Sequence, residues 1–220
     1  MQKYNISKAN NEDMDYQPQL LIQPNKHKPY TQYEYVYNAI ETHFYISEEI
    51  EDPNLYIDMI HCFNIASPGD VIYLHLNTSG GRLDTGVQII NAMNNSQAKV
   101  VTVLECMAYS LGTLIFLSGH ELVVNDNCVM MLHNFRGGVF GKGNELTSQL
   151  DATIKWFNML AKDIYIPFIT EDEFNRIVKG EDLWMQSSEI RKRLDNVAKT
   201  KTTNEKPKTT KKPQLVTKQS

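Results

Sequence analysis

Between residues 71 and 133, runs of β-forming residues alternate with apolar residues at helical spacing. Val71, Ile72, Tyr73, Leu74, His75, Leu76 and Asn77 read as one strand, broken by Gly80 and Gly81. Leu83, Val87, Ile90 and Met93 follow at spacings of four, three and three, the stripe of an amphipathic helix. A buried-type strand is predicted over 99–105, then a helix over 110–117 that is apolar nearly all round and is ended by Gly119. Two further strands, 121–124 and 128–133, are separated by Asn125-Asp126-Asn127. A helix between two strands is the crossover that makes those strands parallel neighbours, so the expected class is α/β with a mainly parallel sheet.

The flanks extend this pattern. His43-Phe44-Tyr45-Ile46 reads as a strand, and Asp52-Pro53-Asn54 opens a helix with Leu55, Met59, Cys62 and Phe63 on one face. After a glycine-rich stretch, 137–143, a long helix over 144–166 carries the seam Leu146, Leu150, Ile154, Phe157, Leu160 and Ile164. Thr170-Glu171-Asp172-Glu173 has the form of a capping box for another helix. Residues 1–33 are polar with Pro18, Pro24 and Pro29 and are expected to be a flexible leader. Residues 34–197 form the expected domain, and 198–220 an expected disordered tail.

Composition narrows the function. The 220 residues suffice for one sizeable domain, and no apolar stretch is long enough to cross a bilayer, so no membrane partner is expected. The tail holds seven Lys against one Glu, so the remainder carries −10 of the total −4; an acidic body does not favour general nucleic-acid binding, and no nucleic-acid partner is expected. Three cysteines in apolar surroundings suggest reduced thiols and a cytoplasmic protein. The six histidines show no zinc-type spacing, and no Gly-Lys-Ser/Thr follows the 137–143 glycines, so neither metal nor cofactor is expected.

The residues that carry chemistry cluster in the same pattern. Ser110 stands between an apolar strand and an apolar helix, His133 follows one β-unit later, and Asp182 precedes Trp184-Met185. Taken singly, Ser110 is a helix N-cap, His133 a satisfied core histidine and Asp182 a turn residue. Taken together they supply a nucleophile, a base and an orienter. The backbone N–H groups of Gly81 and Leu111 are the candidate donors to an oxyanion, with Gly80 allowing close approach. Cys106 and Cys128 lie on predicted strands and read as packing residues rather than nucleophiles.

These blocks resemble the Clp protease proteolytic subunit family, in the family's order. Leu76-Asn77-Thr78-Ser79-Gly80-Gly81 resembles its Asn-Ser-Pro-Gly-Gly turn, and Ala108-Tyr109-Ser110-Leu111-Gly112 its Ala-Ala-Ser-Met-Gly nucleophile motif. Val129-Met130-Met131-Leu132-His133-Asn134 resembles its Val-Met-Ile-His-Gln strand, and Gly137-Gly138-Val139-Phe140-Gly141 its Gly-Gly-Tyr-Gln-Gly segment. Glu181-Asp182-Leu183-Trp184-Met185, with Glu189, resembles its Arg-Asp-aromatic-Met/Leu stretch.

The resemblance implies a ClpP/crotonase-like fold, a repeated ββα superhelix with a long handle helix at 144–166. It implies Ser110 as nucleophile, His133 as general base, Asp182 as orienter, and the Gly81 and Leu111 N–H groups as the oxyanion hole. Gly80 and the segment Gly137, Gly138, Val139, Phe140 and Gly141 would bind substrate, the latter as a strand edge for an extended peptide. The implied function is a serine endopeptidase acting on peptides and unfolded proteins. It would form a homo-oligomeric ring (a heptamer or double heptamer) fed by an AAA+ unfoldase. The chain departs from the family at Ser79 (proline), Tyr109 (a small residue), Cys106-Met107 (Gly-Gln) and Arg193 (glycine). Three other readings are weighed: a crotonase-type acyl-CoA enzyme, a catalytically inactive ring subunit, and a phage-type capsid or processing protease of the same clan.

Overall fold

The computed structural model describes residues 29–36, 39–138 and 140–204. The strands are β1 (Tyr30–Val36), β2 (Ile40–Ile46), β3 (Val71–Thr78), β4 (Lys99–Tyr109), β5 (Glu121–Val124), β6 (Val129–Leu132) and β7 (Leu183–Gln186). The helices are α1 (Ile57–Ile65), α2 (Leu83–Asn95), α3 (Leu111–Leu117), α4 (Gly143–Tyr165), α5 (Glu171–Val178) and α6 (Ser187–Asn204), with a 3-10 turn, Pro53–Tyr56, leading into α1. β1 begins inside the expected leader, and α6 runs into the expected tail.

The sheet order is β1-β2-β3-β4-β6-β7, with β5 also on β4. The pairings β2–β3, β3–β4, β4–β5 and β4–β6 are parallel, and the two outer ones, β1–β2 and β6–β7, are antiparallel. The protein is therefore α/β with a mainly parallel sheet, as the alternation of elements predicts.

Period-2 alternation explains where the core sits. In β3, Ile72, Leu74, Leu76 and Thr78 are buried, while Val71, Tyr73, His75 and Asn77 face the other side, half-buried. The buried face joins Phe44 and Ile46 of β2, Met59 and Phe63 of α1, Ile89 and Met93 of α2, and Leu114 and Phe116 of α3 in one core. α3 is buried from Leu111 to Phe116, which accounts for its all-round apolar sequence.

β4 is longer than its sequence pattern suggests because it changes partners. Its first half pairs with β5 through Val101–Leu104, and its second with β6 through Met107, Ala108 and Tyr109. Against β3 the register jumps: Leu76 is opposite Leu104, but Thr78 is opposite Ala108. The extra residues, Glu105 to Met107, bulge out there, and Asn127 takes the left-handed turn (φ 62°) that starts β6. The result carries the end of β4, and Ser110 after it, to the side of β6.

Candidate active site

Ser110 is the first residue past β4 and the last before α3. Its backbone lies at φ 53°, ψ −122°, and its side chain makes no capping hydrogen bond. An ordinary N-cap has extended backbone and a side-chain oxygen bonded into the helix, so capping is not what this serine does, and the helix starts at Leu111 rather than at Ser110. A positive φ is uncommon for a residue with a side chain, and such strain persists only where neighbours enforce it. They do so here: the Ser110 N–H donates to the Met131 carbonyl at 2.8 Å, and the Ser110 carbonyl accepts from the Thr113 N–H at 3.0 Å. The chain thus turns sharply from strand to helix in an elbow with Ser110 at its tip.

The Gly80-Gly81 turn packs directly on that elbow. Gly80 (φ 97°) is so close that a Cβ there would sit 2.8 Å from the Tyr109 carbonyl oxygen and 2.9 Å from the Ser110 Cβ. Gly81 forms a parallel bridge with Ile50, in which Ile50 N–H donates to the Gly80 carbonyl at 2.7 Å and Arg82 N–H to the Ile50 carbonyl at 2.8 Å. The bridge leaves the Gly81 N–H unused. Neither it nor the Leu111 N–H meets an acceptor among the described residues. Where the family has proline, Ser79 is exposed, and the turn is held by its neighbour: Thr78 Oγ1 donates to the Glu48 carbonyl at 2.6 Å and accepts from Gly80 N–H at 3.1 Å.

His133 directly follows β6, half-buried, and Asp182 directly precedes β7, exposed. β6 and β7 pair antiparallel, with Leu132 opposite Leu183. His133 and Asp182 are the residues just past that last pair, one on each chain segment. The fold thus brings all three elements to one end of the sheet. Among the described residues, no hydrogen bond joins the Ser110 hydroxyl, the His133 ring and the Asp182 carboxylate.

Gly137, Gly138, Phe140 and Gly141 are exposed and lie in no strand, with Phe140 projecting freely; Val139 lies outside the described residues. Burial pushes the Cys62 and Cys128 thiols up to about 11, which suits packing residues and not nucleophiles. Among the described residues no group of His, Cys, Asp and Glu could hold a metal ion, and no helix is long and apolar enough to cross a membrane.

Several contacts of the residues singled out above escaped the sequence reading. Tyr109 meets the Trp184 ring edge-on at 5.3 Å, over Met131 of the intervening strand; the bulk of Tyr109 is visible in sequence, its partner is not. Arg193, where the family has glycine, forms a two-pronged pair with Glu173, at 2.7 and 2.9 Å. Thr113 and Tyr165 also converge on the elbow, with no motif to announce them.

A family model described as Clp protease matches residues 25–193. The chain belongs to the Clp protease family. Among its relatives, the ATP-dependent Clp protease proteolytic subunit of Streptococcus suis (strain 98HAH33) is 32% identical over 130 residues, 56% of this chain and 64% of that protein. The like-named protein of Lactococcus lactis subsp. cremoris (strain SK11) is 32% identical over 54% of this chain and 61% of its own length. The chain thus spans less than two thirds of these curated relatives.

Proposed function

We propose that this protein is a serine endopeptidase in which Ser110 attacks the peptide carbonyl and His133 takes its proton. Asp182 orients the His133 ring and stabilises its cationic form. His133 passes that proton to the amine as the C–N bond breaks, and the acyl-enzyme left on Ser110 is hydrolysed by water activated at His133. The Gly81 and Leu111 N–H groups receive the negative charge of each tetrahedral intermediate, a role in which one donor is worth ~3 kcal/mol. The observation that carries this reading is the elbow: a strained, non-capping serine beside two backbone donors without acceptors. A cost of ~1–3 kcal/mol in backbone strain is retained where it aims a functional group.

Gly80, Gly137, Gly138, Val139, Phe140 and Gly141 line the path of an extended substrate in this reading. The crotonase-like ββα superhelix and the handle role of α4 belong to the same proposal. Exposed apolar residues on α4, among them Leu150, Ile154 and Met159, favour a second copy as its cover, in a ring of seven or a double ring. The names of the relatives call them ATP-dependent, so an AAA+ unfoldase is the partner proposed for folded substrates, while short peptides need none.

The test is cleavage of a fluorogenic peptide library. Wild-type protein cleaves; Ser110→Ala and His133→Ala each lose on the order of 10³-fold or more. Cleavage retained by Ser110→Ala would reject the proposal.

A further inference from the structure

The strained carbonyl of Ser110 is held from below by a chain of buried hydroxyls. Thr113 Oγ1 donates to the Ser110 carbonyl at 2.6 Å, alongside the Thr113 N–H. Thr113 Oγ1 also lies 2.7 Å from the Tyr165 hydroxyl. Thr113 has one hydroxyl proton, and it is committed to Ser110, so Tyr165 must be the donor in the second bond. Both side chains are closed off, Thr113 at 0% and Tyr165 at 1% exposure. Tyr165 is the last residue of α4, and burial holds its hydroxyl above the ordinary phenol range, so it remains a donor.

We propose that Tyr165 and Thr113 are positioning residues, fixing the Ser110 carbonyl and through it the backbone angles that aim Oγ and the Leu111 N–H. The proposal rests on the reading of Ser110 as nucleophile. It assigns the end of α4 a part in the chemistry that packing alone would not require: an apolar pair, Phe and Val, would fill the same space. A small rotation of the Ser110 peptide plane moves the nucleophile and one oxyanion donor together, and a misplacement near 1 Å costs about 10²-fold in rate.

The variants are Thr113→Val, Thr113→Ser and Tyr165→Phe, assayed for peptide cleavage and for the rate of labelling by a fluorophosphonate. Thr113→Val is expected to lower kcat on the order of 10–100-fold, with KM within about twofold and with the labelling rate falling in parallel. Tyr165→Phe falls less, about 5–10-fold, and Thr113→Ser, which keeps the hydroxyl, stays within about threefold of wild type. Folded Tyr165→Phe with wild-type kcat, or losses carried by KM alone, would overturn it. If Thr113→Val does not fold, Tyr165→Phe against Thr113→Ser decides. Activity retained by Ser110→Ala is a different failure, that of the underlying reading.

A second inference stands on separate side chains. On the open face of β2, β3 and β4, His43 Nε2 meets Glu41 Oε1 at 2.9 Å and His43 Nδ1 meets His75 Nε2 at 2.9 Å. His75 Nδ1 meets Glu105 Oε1 at 2.6 Å, and Asn125 Nδ2 donates to the other Glu105 oxygen at 2.8 Å. Ionised carboxylates only accept, and a neutral imidazole carries one N–H. Three contacts need three N–H protons, and two neutral rings supply two. Two charged rings would aim N–H at N–H across the His–His contact. The chain of contacts is complete only with one added proton.

From this count we infer a proton-binding site in which His43 and His75 share one proton between two carboxylates. Other titratable groups around it are Tyr33 of β1, Tyr45 of β2 and Tyr73 of β3, with the Lys99–Glu121 ion pair from β4 and β5 beside Tyr73. Tyr73 stacks on His43 and Tyr45 on His75; burial holds His75 below the ordinary imidazole range, and the Glu105 bond pulls it back up. The test is ring-nitrogen NMR against pH in the full chain. Wild type should show both rings changing together as the first proton binds. His43→Gln should leave His75 with a single step, and Glu105→Gln should move the first step down. Independent titration of the two rings, unaffected by either replacement, would overturn the inference, as would two rings neutral from pH 8 to 5.

Discussion

Replacing Glu173 with Gln removes a carboxylate that ties α5 to α6. Glu173 accepts both prongs of Arg193 and closes the capping box of α5, receiving the Thr170 N–H at 2.8 Å. The Arg193 guanidinium, with the Thr170 bonds, holds the Glu173 carboxyl down at about 2, from an ordinary 4.5. At 1.36 kcal/mol per pH unit, that displacement corresponds to ~3 kcal/mol of folding stability. The two side chains are 15% and 19% exposed, so solvent screens little of it. Because the folded protein ionises this group below its unfolded value, the contribution is complete above pH 4.5 and fades as pH falls toward 2. Glu173→Gln should therefore lose ~2–3 kcal/mol at pH 7, or about 5–10 °C in Tm, and most of the deficit should persist at pH 4. Urea unfolding at pH 7 and 4, with the exposed Glu171→Gln as a control expected within ~0.5 kcal/mol, measures it. A Glu173→Gln protein within ~0.5 kcal/mol of wild type, or a deficit already gone at pH 5, would refute the reasoning.

Ser110→Gly should relieve the positive φ and stabilise the fold by ~1 kcal/mol while abolishing cleavage; calorimetry and the peptide assay on one sample check both. Gly81→Ala would set a Cβ 2.1 Å from the Ile50 carbonyl oxygen at φ 148°, breaking the bridge to Ile50. Its two hydrogen bonds and the strain together predict ~3 kcal/mol of lost stability, read as a fall in Tm. In the folded protein the exposed Cys106 should be alkylated first by iodoacetamide at pH 8, since Cys62 is half-buried, Cys128 is buried, and both thiols are pushed up to about 11; mapping by mass spectrometry tells.

What could be read from sequence was what short-range pattern encodes. β3 and α2 follow from their periods, the break between them from two glycines, and the start of α5 from Thr170 and Glu173, whose reciprocal bonds the structure contains. The end of β4 was not legible, because Met107 to Tyr109 become strand through pairing with β6, and Ala108 also with Thr78 of β3, after a register jump. β1 was hidden for the same reason: a polar, proline-flanked segment becomes a strand by lying against β2. Ser110 could be named from its neighbours, but its backbone angles, which separate an elbow from a cap, are set by Met131 and Thr113. The pairing of His43 with His75 has no sequence signal, since nothing local reveals that two parallel strands set them side by side. Likewise the ends of β6 and β7 that lead to His133 and from Asp182 meet through an antiparallel pairing between segments some fifty residues apart.

The most direct test is to react the purified chain with a fluorophosphonate and locate the adduct by mass spectrometry, with Ser110→Ala beside it. The account predicts one adduct, on Ser110, absent from the variant. No adduct on wild-type protein, or an adduct that survives Ser110→Ala, would contradict the elbow serine as the nucleophile.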